Sequence, residues 1–344
     1  MQDAIQISVV ILNFNGKQFL DDCLTSVLRE AGPEVEVILV DNASSDGSVQ
    51  HVKSSYPRVQ IVESQVNLGF AGGNNLGVAR AQGDYVVLLN NDTVVQPGWL
   101  EGLKRAIEPE DVAIASSLVR TEGVPERYYE RNGSINFLGH NIMTVFTNPE
   151  DIFYAGGASL VYKKKLLGLP FDEMYFAYAE DVYLSLRARF LGYRVVHTND
   201  SRVLHLGGGT TARGAFRRRL LLLQERNRLL NILLFFSGRT ILKVLPLMIF
   251  NCVVKSVTGL LGTRYSFLAT TGAYVWLLTH IDAIRSKRTE LRGHRWIDEC
   301  DVISQMCGRL TQGESVAARW LNRASIRYCR VVGLRTIEIA SAAK

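Results

Sequence analysis

The sequence predicts an α/β fold, a Rossmann-like, mostly parallel sheet with flanking helices, followed by a C-terminal helical region. Three observations carry that expectation. Up to about Asp200, short apolar runs alternate with helical segments; several of those runs end in polar clusters; and beyond Thr210 the composition shifts towards Arg, Leu and aromatics.

The strands are read from short, β-branched runs: Ile7 to Leu12, Val35 to Val40, Val59 to Val62, Tyr85 to Leu89 and Val112 to Ser116. Such runs suit strands covered on both faces. Phe19 to Leu28 has helical spacing behind the Asn15-Gly16 turn, and Ser44-Ser45-Asp46 reads as a cap opening the next helix. Gly69 to Gln82 is a Gly-rich turn running into a helix. Periodicity fades from Thr121 to Pro149, which reads as a mobile loop over the site. Ala155 to Tyr162 resumes strand character, Glu180 to Leu191 reads as a helix, and Tyr193 to His197 as a strand. The first domain closes near His205 to Gly209. The expected domains are 1–209, 210–290 and 291–344.

A chain of 344 residues, 47% hydrophobic, accommodates one large α/β domain plus an accessory region. Five scattered cysteines without a close pair read as reduced thiols in a cytosolic setting. Strand character begins at Gln6 with no basic segment or cleavage site before it, so no secretory signal is expected. The net charge of +6 raises nucleic acid or lipid as partners. Its basic cluster, Arg213 to Arg228, is interrupted by Leu220 to Leu223 and not by stacking aromatics, which favours a membrane surface and argues against nucleic acid.

Beyond it lie the apolar stretches Leu229 to Phe236, Ile241 to Leu261 and Tyr265 to Ile281. None reads as a clean spanning helix. Lys243, Pro246, Asn251 and Lys255 interrupt the second, and the third falls short of the roughly 20 apolar residues a bilayer core requires. In-plane amphipathic helices with snorkelling lysines fit better, while core-packed or dimer-forming helices and a membrane hairpin stay open.

The chemistry concentrates where strands end. In Tyr85-Val-Val-Leu-Leu-Asn90-Asn91-Asp92-Thr93, a buried strand stops at one carboxylate beside two amides. Ligands of open α/β sheets bind beyond such carboxyl ends, and a carboxylate there can hold a divalent cation against a diphosphate. A turn or helix cap explains Asn-Asp-Thr equally at this stage. Asn13-Phe14-Asn15-Gly16 and Asp41-Asn42-Ala43-Ser44 reach the same edge, with Asp41 suited to a nucleobase or ribose and Asp46 to capping. Asn67-Leu-Gly69-Phe-Ala-Gly72-Gly73-Asn74-Asn75 departs from a dinucleotide fingerprint but reads as a nucleotide-contacting turn. Glu180 and Asp181 start a helix behind an aromatic wall, where a desolvated carboxylate can act as a base. Complementing a helix dipole is their ordinary alternative. His205 follows a strand returning to the ligand edge, and imidazole with a carboxylate is a credible Mn²⁺ or Mg²⁺ pair.

Taken in order, these motifs resemble the family-2 glycosyltransferases of the GT-A fold, in the branch of bacterial rhamnosyltransferases and related cell-surface polysaccharide enzymes. The resemblance covers roughly Ile7 to Thr210. It implies that Asp92 and His205 ligate the metal, that Asp41 binds the base, and that Phe14, Asn67 and Asn74 line the nucleotide pocket, with Gly72, Asn90 and Asn91 alongside. Asp181 of the Glu180-Asp181 pair matches the base that deprotonates the acceptor, so transfer inverts the anomeric carbon. Where the family has Asp-x-Asp this chain has Asn90-Asn91-Asp92, with one carboxylate fewer. The implied donor is a dTDP- or UDP-linked sugar, rhamnose favoured. The implied acceptor is a lipid-linked or polysaccharide glycan at the cytoplasmic membrane face, and a homo-oligomer is left open. Two rivals remain: a nucleotidyltransferase, which would want a basic phosphate loop after the first strand, and a catalytically silent membrane scaffold.

Overall fold

The computed structural model describes residues 6–121, 132–144, 150–207, 214–261, 265–293 and 297–341. They divide into two compact units. The first is Met1–Glu130, Phe146–Ala188 and Tyr193–Gly209; the second is Arg131–Val145, Arg189–Gly192 and Thr210–Lys344.

In the first unit, β1 (Ile7–Asn13), β2 (Val35–Asp41), β3 (Val59–Glu63) and β4 (Tyr85–Asn90) form the parallel half of an eight-stranded sheet. β1 and β2 are almost wholly buried on both faces, which is why their sequences are unbroken apolar runs and not alternating ones. The other half comprises β5 (Thr93–Val95), β6 (Val112–Thr121), β9 (Ser159–Lys163) and β10 (Arg194–His205), and the order is β3-β2-β1-β4-β9-β6-β10-β5. β9 runs antiparallel between β4 and β6, and β5 antiparallel to β10, so the sheet is mixed.

Helix α1 (Lys17–Glu30) lays Leu20, Cys23, Leu24 and Val27 on the sheet, and α4 (Trp99–Ile107) adds Trp99, Leu100 and Leu103 to the same core. Between them in sequence come α2 (Ser48–Ser55) and α3 (Gly69–Arg80). The glycines of α3 have a packing cause. A Cβ on Gly73 would sit 2.4 Å from Leu12, and one on Gly77 would meet Val10 at 2.5 Å and Val40 at 2.6 Å. Spaced one turn apart, they let the helix backbone approach β1 and β2. The short α5 (Lys164–Leu167) and α6 (Glu180–Phe190) complete the order.

The second unit contains the hairpin β7 (Asn132–Ile135) and β8 (Asn141–Thr144) and the helices α7 (Gly214–Phe235), α8 (Gly238–Leu260), α9 (Phe267–Thr279), α10 (Ile281–Arg292), α11 (Glu299–Ile303), α12 (Val316–Val331) and α13 (Ile337–Ala340). Two expectations are corrected here. The segment Thr121 to Pro149 is not one loop, because its described middle is the β7–β8 hairpin, paired from Asn132–Thr144 to Ile135–Asn141; 122–131 and 145–149 lie outside the described residues. Ile241 to Leu261 is not interrupted either. Pro246 sits inside an unbroken α8 of 23 residues whose most apolar 18-residue stretch has mean hydropathy 1.7, long and apolar enough to cross a membrane by length and composition. A proline costs one backbone hydrogen bond, and here the neighbouring turns hold the helix across it.

Candidate active site

Parallel register sets the site. Asn13 pairs with Asp41, and Leu12 with Asn90, so β1, β2 and β4 deliver their last residues to one sheet edge. Asn13, fully buried, is the hub of that edge. Its Oδ1 accepts from Asn91 Nδ2 at 2.8 Å, while its Nδ2 donates to Asp41 Oδ1 at 3.3 Å and to Ser44 Oγ at 3.2 Å. Asp41, 3% exposed, also accepts the Ser44 N–H at 2.9 Å, and Ala43 between them turns at φ +65°. Asn15 stitches the neighbouring turn: its N–H donates to Ser44 Oγ at 2.9 Å and its Oδ1 accepts the Ser45 N–H at 2.7 Å. Phe14 projects beside this floor, 49% exposed. Asp46 takes N–H donations from Lys17 at 2.9 Å and Ser48 at 3.0 Å, tying the starts of α1 and α2, but from the position before the N-cap of α2, which is Gly47 and not Asp46.

Asp92 leaves the end of β4 just before β5. Because Thr93 of β5 pairs with His205 of β10, the chain returning from the far side of the sheet places His205 against Asp92. Asp92 Oδ1 and His205 Nε2 are 3.2 Å apart, and the Asp92 carbonyl accepts the Leu206 N–H at 2.9 Å. The carboxylate raises the imidazole's proton affinity above the ordinary histidine range. Among the described residues no third His, Cys, Asp or Glu joins a metal-ligating group. One carboxylate oxygen and one imidazole nitrogen fit a divalent cation whose remaining positions come from phosphate oxygens and water.

The third component is the start of α6. Glu180 is buried, with Oε2 lacking a hydrogen-bond partner among the described residues, whereas Asp181 is partly exposed. Asp181 accepts the Val182 N–H at 2.8 Å and a backbone N–H from Gly157. The next residue, Ala158, accepts the Asn90 N–H at 3.0 Å. One backbone step therefore connects Asp181 to the strand end that carries Asp92. Burial raises the proton affinity of both carboxyls, and the Asp181 charge raises that of Glu180 further. Glu180 thus keeps its proton and Asp181 is the ionised member at neutral pH.

The approach to this pair is strained and clamped. Phe176, Tyr178 and Ala179 have φ of +58°, +73° and +60°, conformations costly for residues with side chains and concentrated at functional sites. Asn75 of α3 holds the segment two-handed, donating to the Phe171 carbonyl at 2.8 Å and accepting the Phe171 N–H at 3.1 Å. The Ala71 N–H donates to the Phe176 carbonyl at 3.0 Å, and Gly69 passes so close to Phe176 that a Cβ would overlap it.

The structure thus brings Asp41, Asn90, Asn91, Asp92, Asp181 and His205 to one edge. Asn67 is exposed nearby, its Oδ1 accepting from Asn42 Nδ2 at 3.1 Å and from the Gly69 N–H at 2.8 Å. Gly72 and Asn74 fall differently. Both are buried in α3, and Asn74 Nδ2 donates back to the Phe70 carbonyl at 2.9 Å, so they shape the helix without presenting a face to a ligand. Sequence reasoning places Asn13 and Asn42 in motifs at this edge and Asn75 in the Gly-rich turn, but assigns none of the three a role. The signal for Asn13 was an amide at a strand's carboxyl end in register with Asp41; Asn75 gave none, because its partner is 96 residues away.

An open α/β sheet with polar groups gathered at the carboxyl ends of its strands is the class of fold in which ligands bind at that edge. Residues 8–168 match the family model described as glycosyl transferase family 2, and the chain is similar to that family through this segment, with the GT-A fold. Similar curated proteins include a putative teichuronic acid biosynthesis glycosyltransferase, TuaG, of Bacillus subtilis, 28% identical over 46% of this chain and 56% of its own length. Another is an uncharacterized glycosyltransferase of Haemophilus influenzae, 25% identical over 32% of this chain and 35% of its own. The matched segments span between about a third and just over half of these relatives. A mannosyltransferase of Pyrobaculum calidifontis, solved with GDP-Man and Mn²⁺, superposes with a TM-score of 0.52 at 13% identity over 96% of this chain and 87% of its own. GalNAc-T7 with UDP, GalNAc and Mn²⁺ gives 0.57 at 16% identity over 69% and 49%. Both likenesses carry the fold.

Proposed function

We propose that the chain transfers a sugar from a nucleoside-diphosphate donor to an acceptor hydroxyl with inversion at the anomeric carbon. The observation that supports it best is the 3.2 Å Asp92–His205 pair two residues beyond Asn90, whose N–H donates to Ala158, the neighbour of the Gly157 that hydrogen-bonds Asp181. Asp41 and the Asn13 network present the base and ribose side of the pocket, with Phe14 and Asn67 at its rim, and Asn90 and Asn91 orient the diphosphate side. When bound, Mn²⁺ or Mg²⁺ supplies charge neutralisation for the departing diphosphate. Asp92 and His205 would hold it, as fits neighbours of this fold solved with Mn²⁺.

Asp181 accepts the proton of the acceptor hydroxyl. The oxygen then bonds to the anomeric carbon on the face opposite the diphosphate, whose bond to that carbon breaks. A single in-line displacement requires no enzyme nucleophile, hence inversion. Glu180, protonated beneath, adds no second negative charge to the site. The sugar proposed is rhamnose from a dTDP or UDP donor. The acceptor proposed is a lipid-linked or cell-envelope glycan, in line with the teichuronic acid biosynthesis in the name of the Bacillus relative.

The test is a thermal-shift panel of nucleotide sugars with and without Mn²⁺, followed by transfer to lipid-linked acceptors. Bound donor at about 100 times its Kd should stabilise the fold by about 2.7 kcal/mol. Failure of every nucleotide sugar to shift the melting curve in the presence of Mn²⁺ overturns the proposal.

A further inference from the structure

The α8–α9 hairpin is built inside out. Along α8 the inward stripe is Thr240, Val244, Met248 and Lys255, while Leu242, Leu245, Ile249, Phe250, Val253 and Val257 point outward. A helix of a water-exposed domain shows the opposite arrangement. α9 repeats the inversion. Its buried residues are small or polar at three of four positions, Ala269, Thr270 and Ala273 with Leu277, while Phe267, Leu268, Val275 and Leu278 are exposed, Leu278 by 74%.

Polar groups occupy the interior instead. Glu225 of α7, 6% exposed, receives Lys255 Nζ at 2.6 Å and Arg228 Nη2 at 2.5 Å, and Lys255 also meets His140 Nε2 at 2.9 Å. The Arg226 guanidinium lies 4.4 Å from the Trp276 ring centre. Lys255, an interruption in the apolar stretch by sequence, is therefore turned away from the apolar face and neutralised. That leaves the outer face of the hairpin without an exposed charge from Val244 to Leu261.

We propose that this face is immersed in the headgroup–acyl boundary of an anionic phospholipid bilayer, with α8 lying in the membrane plane. The placement of charge selects the orientation. α7 and α9 run the same way, since Leu222 packs on Gly272 and Arg226 on Trp276, so the exposed Arg217, Arg218 and Arg219 are level with the start of α9. Arg239 and Lys243 stand at the opposite end of α8. Cations at both ends suit a helix whose two ends sit at headgroup depth, and the Glu225–Arg228–Lys255 cluster on its inner side selects the in-plane orientation, because a spanning helix would carry that ion cluster into hydrocarbon. A second copy of the chain is disfavoured as occupant because the same cationic ends would meet each other.

The proposal stands apart from the donor site, so vesicle binding and nucleotide-sugar binding can fail separately. The test floats the full chain with vesicles of phosphatidylcholine and phosphatidylglycerol, and with phosphatidylcholine alone. The wild type should float with the anionic vesicles and do so tenfold less with neutral ones. Phe250→Glu combined with Val253→Glu, both outward-facing, should abolish flotation while leaving the melting temperature and nucleotide-sugar binding unchanged. A wild type that stays at the bottom of the gradient, or a detergent-free dimer that the double variant dissociates, overturns the proposal. Labels at Leu242→Cys, Phe250→Cys and Leu260→Cys, with Cys252 and Cys300 replaced by Ser, read depth through brominated lipids. Equal shallow quenching is expected, and a steady increase in depth from one end to the other overturns the in-plane orientation.

Discussion

His205 Nε2 lies 3.2 Å from Asp92 Oδ1 although 113 positions separate the two residues, because β5 and β10 pair with Thr93 opposite His205. The chain offers one carboxylate where an Asp-x-Asp pair would offer two, and in the proposed metal site the imidazole would supply the ligand that Asn90 cannot.

Removing either partner should therefore show first as a metal phenotype. Asp92→Ala should abolish transfer, and His205→Ala should raise the Mn²⁺ concentration for half-maximal rate by about 100-fold or more, losses of ligation exceeding the 10–100-fold typical of outer-shell changes. Rates measured across a Mn²⁺ titration check this. An unchanged midpoint for His205→Ala removes it from the metal site.

Asp181→Asn should lower kcat by about 10²–10⁴-fold, the usual contribution of a positioned base, while leaving donor affinity intact. Burial pushes the Asp181 carboxyl up to about 6, so the wild-type rate should rise as pH passes through that value and level off above it. A single-turnover pH profile checks this, and the Asn variant should lose the limb.

Glu180 links pH to stability with a definite sign. Its carboxyl is held above its ordinary range by burial and by Asp181, so the folded state binds that proton more tightly than the unfolded chain. Its contribution is full below the unfolded value and is lost as pH rises through the folded one. Glu180→Gln, which cannot ionise, should melt like the wild type near pH 5 and several degrees higher at pH 8.5. Calorimetry at the two pH values decides it; equal melting temperatures at pH 8.5 contradict a protonated Glu180.

Asn75→Ala would leave the Phe171 N–H and carbonyl unpaired inside the fold, costing about 1–3 kcal/mol. It should also release the strained segment that presents Asp181, lowering kcat more than it raises the donor KM. Denaturant unfolding and steady-state kinetics on the same preparation check both parts.

Gly77→Ala tests α3 as a packing helix. With Val10 and Val40 within 2.6 Å of the new Cβ, the helix must lift from the sheet, at about 1–3 kcal/mol. A neutral effect on unfolding would return this glycine to the role of a ligand-contacting turn.

The strands were legible because burial on both faces writes itself as β-branched runs, and Asp41, Asp92 and Asp181 were legible because each stands at an element boundary. The antiparallel placement of β9, the hairpin within 132–144 and the clamp by Asn75 were not, since each depends on a partner far along the chain. Composition announced that α8 and α9 are apolar. It did not say which way they face. Lys255 and Pro246 read as breaks because hydropathy is summed along a line, whereas the fold turns Lys255 onto Glu225 and carries the helix through Pro246. The sequence by itself determined the main strands and helices of the first unit, the family resemblance of that unit and the residue types at the ligand edge. Tertiary structure alone decided which of them meet, His205 with Asp92, Asn13 with Asp41 and Asn91, and which faces are left for a partner, because strand register and helix rotation are settled only by burying one surface against another.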